Sequence, residues 1–179
     1  MTTPDQEPDL GAVFDAHMQA EFADLDLDAT MGTMVAEPHL THVPVMTGGA
    51  GGAAVRAFYD AHFIGHWPAD TQTALITRTV GQGRVVDEFI LSFTHDQVMD
   101  AIVPGIAPTG RKVEVPFVVI SGFEGDKIAY EHIYWDQACI LVQLGVLSDA
   151  DLPVSGVEQA RRLLDPTLPS NRLIQRTRR

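Results

Sequence analysis

The stretch KIAYEHIYWDQACILVQLG, residues 127–145, decides how this chain is read. Its first half alternates in polarity at the period of a β-strand, and its second half is an apolar run preceded by an Asp suited to cap a helix. Glu131, His132 and Asp136 stand among apolar neighbours, and an ionised carboxylate without partners is costly to bury. Parity divides the strand: Tyr130, His132, Tyr134 and Asp136 share one face, and Glu131, Ile133 and Trp135 share the other. We expect the His132–Asp136 face to look into a cavity, with Glu131 on an outer face where it needs a partner.

Working upstream, KVEVPFVVIS joins this strand through GFEGD as a long hairpin, and TQTALITRTV and RVVDEFILSF form another around GQG. Earlier segments change period. Leu10, Phe14, Met18, Phe22 and Leu25 recur at three- and four-residue spacing and predict a helix from 9 to about 25. Asp28 is placed to cap a short second helix through Met34, followed by an extended HLTHVP. A Gly-rich turn then feeds a third helix with Val55, Phe58, Tyr59 and His62 along one side. Helices first and long strands afterwards predict an α+β cone, a curved mixed or antiparallel sheet wrapped around the N-terminal helices. Its open end is the default place for a ligand.

Length and composition suit one domain with a real core: 179 residues, 45% of them hydrophobic. The domain is expected over residues 1–148, with a basic extension at 149–179. Residues 151–179 hold six Arg against three acids, whereas residues 1–150 hold six Lys/Arg against 21 Asp/Glu. Such a tail lies back on its own domain, lies on a sister subunit, or is a solvated terminus. A net charge of −12 argues against nucleic acid and anionic membrane as partners. The acidic N-terminus is no signal peptide, no run of about 18 apolar residues exists, and a single Cys139 suits a reducing compartment. A soluble cytoplasmic protein is the expectation.

The segments PTGRKVEVP (108–116) and GDKIAYEHIYWDQACILVQLGVL (125–147) resemble the closing signature of SnoaL-like proteins in the nuclear transport factor 2-like superfamily. In that family a Pro-Thr-Gly-Arg/Lys turn precedes the penultimate strand, a Gly-Lys-Ile hairpin comes next, and the last strand ends in Asp before a helix. The resemblance spans roughly residues 8 to 148. It implies a cofactor-free pocket for a hydrophobic oxygenated small molecule, with polyketide-cyclase, isomerase or dehydratase-like chemistry. The same superfamily holds non-catalytic ligand-binding and accessory subunits, so both classes remain open. Asp136 matches the family's acid/base. The family's Glu, six residues earlier, is replaced by Tyr130, with Glu131 beside it.

The expected catalytic residues are therefore Asp136, His132 and His17, the last because the resemblance implies that the first helix lines the pocket. Tyr59, Tyr134, Glu88, Glu21 and Phe14 are expected to contact substrate. Asp136 has a second use open to it, capping the helix that begins at Gln137. Glu88 shares its face with Val86, Ile90 and Ser92, and Asp87 shares the other with Val85, Phe89, Leu91 and Phe93. Both faces are apolar. The reading that puts Glu88 in the pocket leaves the Asp87 face outside, as a homodimer interface. An epoxide hydrolase would need an Arg between two carboxylates, for which Arg56 and Arg78 are the candidates. No metal or phosphate site is expected. TGGAGGAA lacks the Lys-Ser/Thr of a phosphate loop, DLDLDAT lacks the Gly and terminal Glu of a calcium loop, and Cys139 reads as a core filler.

Overall fold

The computed structural model describes residues 8–176. Its elements are α1 (Leu10–Gln19), α2 (Leu27–Gly32), β1 (Met34–His42), β2 (Thr47–Ala50), α3 (Gly52–Phe58), β3 (Gln72–Gly81), β4 (Arg84–Thr94), β5 (Lys112–Glu124), β6 (Lys127–Trp135), α4 (Gln137–Gln143) and α5 (Glu158–Leu164). Six strands form one mixed sheet in the order β2-β1-β6-β5-β4-β3. The β1–β6 pair is parallel and the other four are antiparallel. The architecture is α+β, as the residue pattern predicts, and the sheet is open, with β2 and β3 as its edges.

The capping chemistry is local. Asp9 accepts from the Ala12 amide to start α1, and Asp26 accepts from the Ala29 amide to start α2. Asp28, expected as the second cap, lies two residues further on, in the first turn of α2. Both α1 and α3 run directly into one π-helical turn, Ala20–Asp24 and Tyr59–Phe63 respectively. A π-turn adds a residue to the helical repeat and re-aims the chain beyond it.

Strand β1 starts at Met34, where a helix end was expected, and its register shifts between Met34 and His39. Pro38 sits in that irregularity, where a missing ladder donor is tolerated. The Gly-rich stretch serves close packing. A Cβ on Gly48 would lie 2.1 Å from the Leu40 carbonyl oxygen, and one on Gly49 would lie 2.8 Å from the Ala54 backbone. These glycines bring β2 against β1 and α3.

Inward side chains of β4 and β5 are Val85, Phe89, Leu91, Phe93, Val113, Val115, Phe117 and Val119, all in the core with Phe14, Val55, Phe58 and Phe63. Asp87 is among the inward residues, 5% exposed, which reverses the expected assignment of the two β4 faces. Arg78 makes that burial tolerable: its Nε and Nη2 reach the two Asp87 oxygens at 2.7 and 2.8 Å, and Nη1 reaches Asp15 on α1 at 2.8 Å. Glu88 therefore faces outward with Val86.

Residues beyond 148 turn back onto the domain. The Cys139 thiol donates to the Gly156 carbonyl, Gln159 donates to Asp136, and Ala160 of α5 is fully buried. No helix among the described residues is long and apolar enough to cross a membrane.

Candidate functional site

Five elements bring polar groups into one buried cluster. His17 comes from α1 and Glu21 from the π-turn one helical turn later, so the two share a helix face. Tyr59 opens the second π-turn, and Glu131 projects inward from β6 with Ser121 opposite it on β5. His17, Tyr59 and Ser121 are at most 1% exposed, Glu131 3% and Glu21 4%.

The contacts define proton positions. Thr33 donates its hydroxyl to the Thr30 carbonyl at 2.7 Å, so its oxygen accepts from His17 Nδ1–H at 2.6 Å. This leaves His17 Nε2 pointing at carboxylates, 3.0 Å from Glu21 Oε1 and 3.4 Å from Glu131 Oε2. Tyr59 donates to Glu131 Oε2 at 3.2 Å, and Ser121 donates to Oε1 at 3.1 Å. Burial alone would strip the proton from His17; the charges of Glu21 and Glu131, with their hydrogen bonds, override it and hold the imidazole well above its usual range. Burial would likewise raise Glu131, but the His17 charge and the bonds from His17, Ser121 and Tyr59 bring it below the ordinary carboxylate value. Burial, then the two carboxylates, push the Tyr59 phenol upward. At neutral pH the cluster holds an imidazolium, an ionised Glu131 and a protonated phenol.

A cavity of about 40 Å³ lies against this cluster, with Glu21, Tyr59 and Glu131 in its wall and His17 behind them. That is room for about three water-sized spheres. The other walls are apolar and largely aromatic, including Phe22, Phe63, Phe89 and Phe117. Met18, Phe22 and Trp67 are half-buried and Thr73 is exposed, which marks the mouth. The Trp67 Nε1–H is buried without a hydrogen-bond partner among the described residues. His42 also lines the cavity. Its Nδ1–H donates to the Ala101 carbonyl at 3.1 Å, and burial lowers its pKa to about 4, so the ring is neutral.

The expected site is thus only partly assembled. His17, Glu21 and Tyr59 meet at the cavity, and Phe14 packs behind them, its ring stacked 6.4 Å from His17. His132, Tyr134, Asp136 and Glu88 are elsewhere. The parity grouping of β6 holds, but the Glu131 face is the inner one, because Ile133 and Trp135 are the side chains that fill the core. His132 lies against Tyr130 and His39 on the outer face, its ring tilted to both at centroid distances of 4.7 and 5.5 Å. Tyr134 is 41% exposed. Asp136 accepts from the Cys139 amide at 3.1 Å as the α4 cap, its second oxygen taken by Gln159. Arg78 does stand between two carboxylates, but outside the cavity wall, and it ties α1 to the sheet. Glu131, Ser121, His42 and Trp67 are the residues that sequence reasoning did not place in the site. The alternation that grouped Glu131 with Trp135 carried the signal, since a buried Trp names the inner face.

His17, Glu21 and Glu131 each offer a ligand atom within 4.8 Å of the others, a spacing that could also receive a cation.

No family model matches the chain, and no curated protein matches it. Solved structures do. An NTF2-like protein of unknown function from Burkholderia pseudomallei K96243 aligns with TM-score 0.59 and 16% identity, over 76% of this chain and 98% of that one. A candidate SnoaL-like polyketide cyclase from Jannaschia sp. CCS1 aligns with TM-score 0.60 and 15% identity, over 82% and 100%. AclR, a candidate hydroxylase from Streptomyces galilaeus, aligns with TM-score 0.60 and 18% identity, over 86% and 95%. At such identities the likeness speaks for the backbone arrangement alone. This chain has the nuclear transport factor 2-like fold.

Proposed function

We propose that the protein is a small-molecule enzyme that moves protons on an oxygenated substrate held in the cavity. The observation that carries this reading is the His17–Glu131–Tyr59 cluster at the cavity wall. An ionised Glu131 accepts a proton from carbon or oxygen, while the Tyr59 hydroxyl and the Trp67 N–H are donors to a substrate oxygen as charge develops there. Glu131 then gives the proton back to the substrate, and the His17 imidazolium, its orientation set by Thr33, holds Glu131 ionised between turnovers. Isomerisation, dehydration and ring closure all use this pairing of acceptor and donor. The apolar walls and the cavity's size select a compact substrate, or one that inserts only its reacting end.

The test is exchange of α-protons of small ketones into deuterated water, measured by NMR. Acetone and hydroxyacetone are the probes. The wild-type protein should accelerate exchange over buffer, Glu131→Gln should lose at least about 100-fold, and Asp136→Asn should retain full rate. No acceleration with either probe, or equal rates for wild type and Glu131→Gln, overturns the proposal. The same assay bears on a second reading, a non-catalytic ligand-binding subunit, which the cavity's small volume favours.

We also propose that a second copy packs on the outer sheet face. Val86, Val118 and Ile120 are half-buried there and Tyr134 is exposed, an apolar surface on one continuous sheet. Val118→Asp should convert a dimer to a monomer in light scattering. A wild-type monomer would overturn this.

A further inference from the structure

The charges around the cavity are unevenly placed. Two carboxylates, Glu21 and Glu131, are in its wall, while His17, the cation that pairs with them among the described residues, lies behind. His42, the other imidazole of the cluster's surroundings, lines the wall and is neutral near pH 7. No Lys or Arg among the described residues is in the wall. A molecule in the cavity therefore has the carboxylates of Glu21 and Glu131 nearer to it than the His17 ring, in mostly apolar surroundings where charge is poorly screened. The remaining walls present the rings of Phe22, Phe63, Phe89 and Phe117, and aromatic faces attract cations while excluding water. Around this lies a protein of net charge −12, whose field draws cations toward it and repels anions.

We infer that the ligand of this cavity is a small organic ammonium ion, its charged nitrogen against Glu21 and Glu131 and its carbons against the aromatic walls. The inference rests on the cavity being the ligand site proposed above and adds the charge class of the molecule. In an ammonium-bearing carbonyl compound, Glu21 holds the nitrogen and Glu131 remains the proton acceptor. The Tyr59 hydroxyl and the Trp67 N–H remain the donors for the oxygen. The volume admits about four heavy atoms before side chains at the mouth must move.

Three probes of four heavy atoms each separate charge from size: isopropylammonium, isopropanol and acetate. Each is titrated into the full-length protein at pH 7 and read by amide chemical shifts. Isopropylammonium should saturate at one site in the millimolar range or tighter, with shifts at Glu21, Tyr59, Phe63 and Glu131. It should bind at least ten-fold tighter than isopropanol, and acetate should not bind. Glu21→Gln, with its fold checked by the same spectra, should remove most of the preference. Isopropanol binding as tightly as isopropylammonium overturns the charge class but leaves the cavity as a ligand site. Failure of all three to bind, or uptake of acetate, also overturns it, and the ketone-exchange rates then judge the acid/base reading on their own. The wild-type series decides the matter even if Glu21→Gln does not fold.

Discussion

Ser121 and Glu131 are direct partners across β5 and β6, and the Ser121 hydroxyl donates to Glu131 Oε1 at 3.1 Å. The pairing fixes one carboxylate oxygen against the sheet and leaves the other for Tyr59 and His17. A charged group is thereby held deep in the core with every oxygen answered, the condition under which burial of a carboxylate is tolerable.

Removing that charge leaves His17 without its sheet-side partner. Glu131→Gln should destabilise the protein by about 3–5 kcal/mol in urea unfolding, the usual range for breaking one side of a buried pair. Ser121→Ala should cost about 1–3 kcal/mol, because Glu131 Oε1 then loses its donor. A double His17→Gln/Glu131→Gln variant should lose less than the sum of the two singles.

The raised pKa of His17 makes stability fall on the alkaline side. Its contribution is complete below the unfolded value of 6.5 and is lost as pH rises through the elevated folded value. Urea midpoints measured above neutrality should therefore fall more steeply for wild type than for His17→Gln. The difference approaches about 1.4 kcal/mol per pH unit within that window. Identical slopes would mean that His17 is not held as an imidazolium.

His42 has the opposite sign. The folded state refuses its proton until about pH 4, whereas the unfolded chain takes it up near 6.5. Stability should fall as pH drops between those values, by about 3 kcal/mol in all. His42→Gln should flatten this part of the acid limb, whatever its absolute stability.

Asp136 acts as a cap. Asp136→Ala should cost about 1 kcal/mol and Asp136→Asn only a few tenths, since Asn caps nearly as well. Neither should change probe binding in the cavity. A large loss of binding with Asp136→Asn would return this residue to the site.

Cys139 is buried in α4, its thiol donating to the Gly156 carbonyl; burial pushes the thiol up to about 12. Native protein should be inert to a disulfide reagent at pH 8 and should release one equivalent of thiol on unfolding.

The residue pattern by itself determined the α+β class, the helices-then-strands order, the two long hairpins and the grouping of β6 side chains into two sets. Those features rest on local periods, 3.6 for helices and 2 for strands, which need no knowledge of distant contacts. It also marked His17, Glu21 and Tyr59 as polar groups beside apolar helix faces. What only the tertiary structure decided is which face of each strand turns inward. Val85 and Val86, or Glu131 and His132, are adjacent residues with similar claims on the core. The choice is made by which set of side chains completes the packing under α1 and α3. Trp135, Ile133 and Phe89 win it, and Glu131 and Asp87 are carried inward with them. Each is buried at a place where His17 or Arg78 stands opposite to balance its charge.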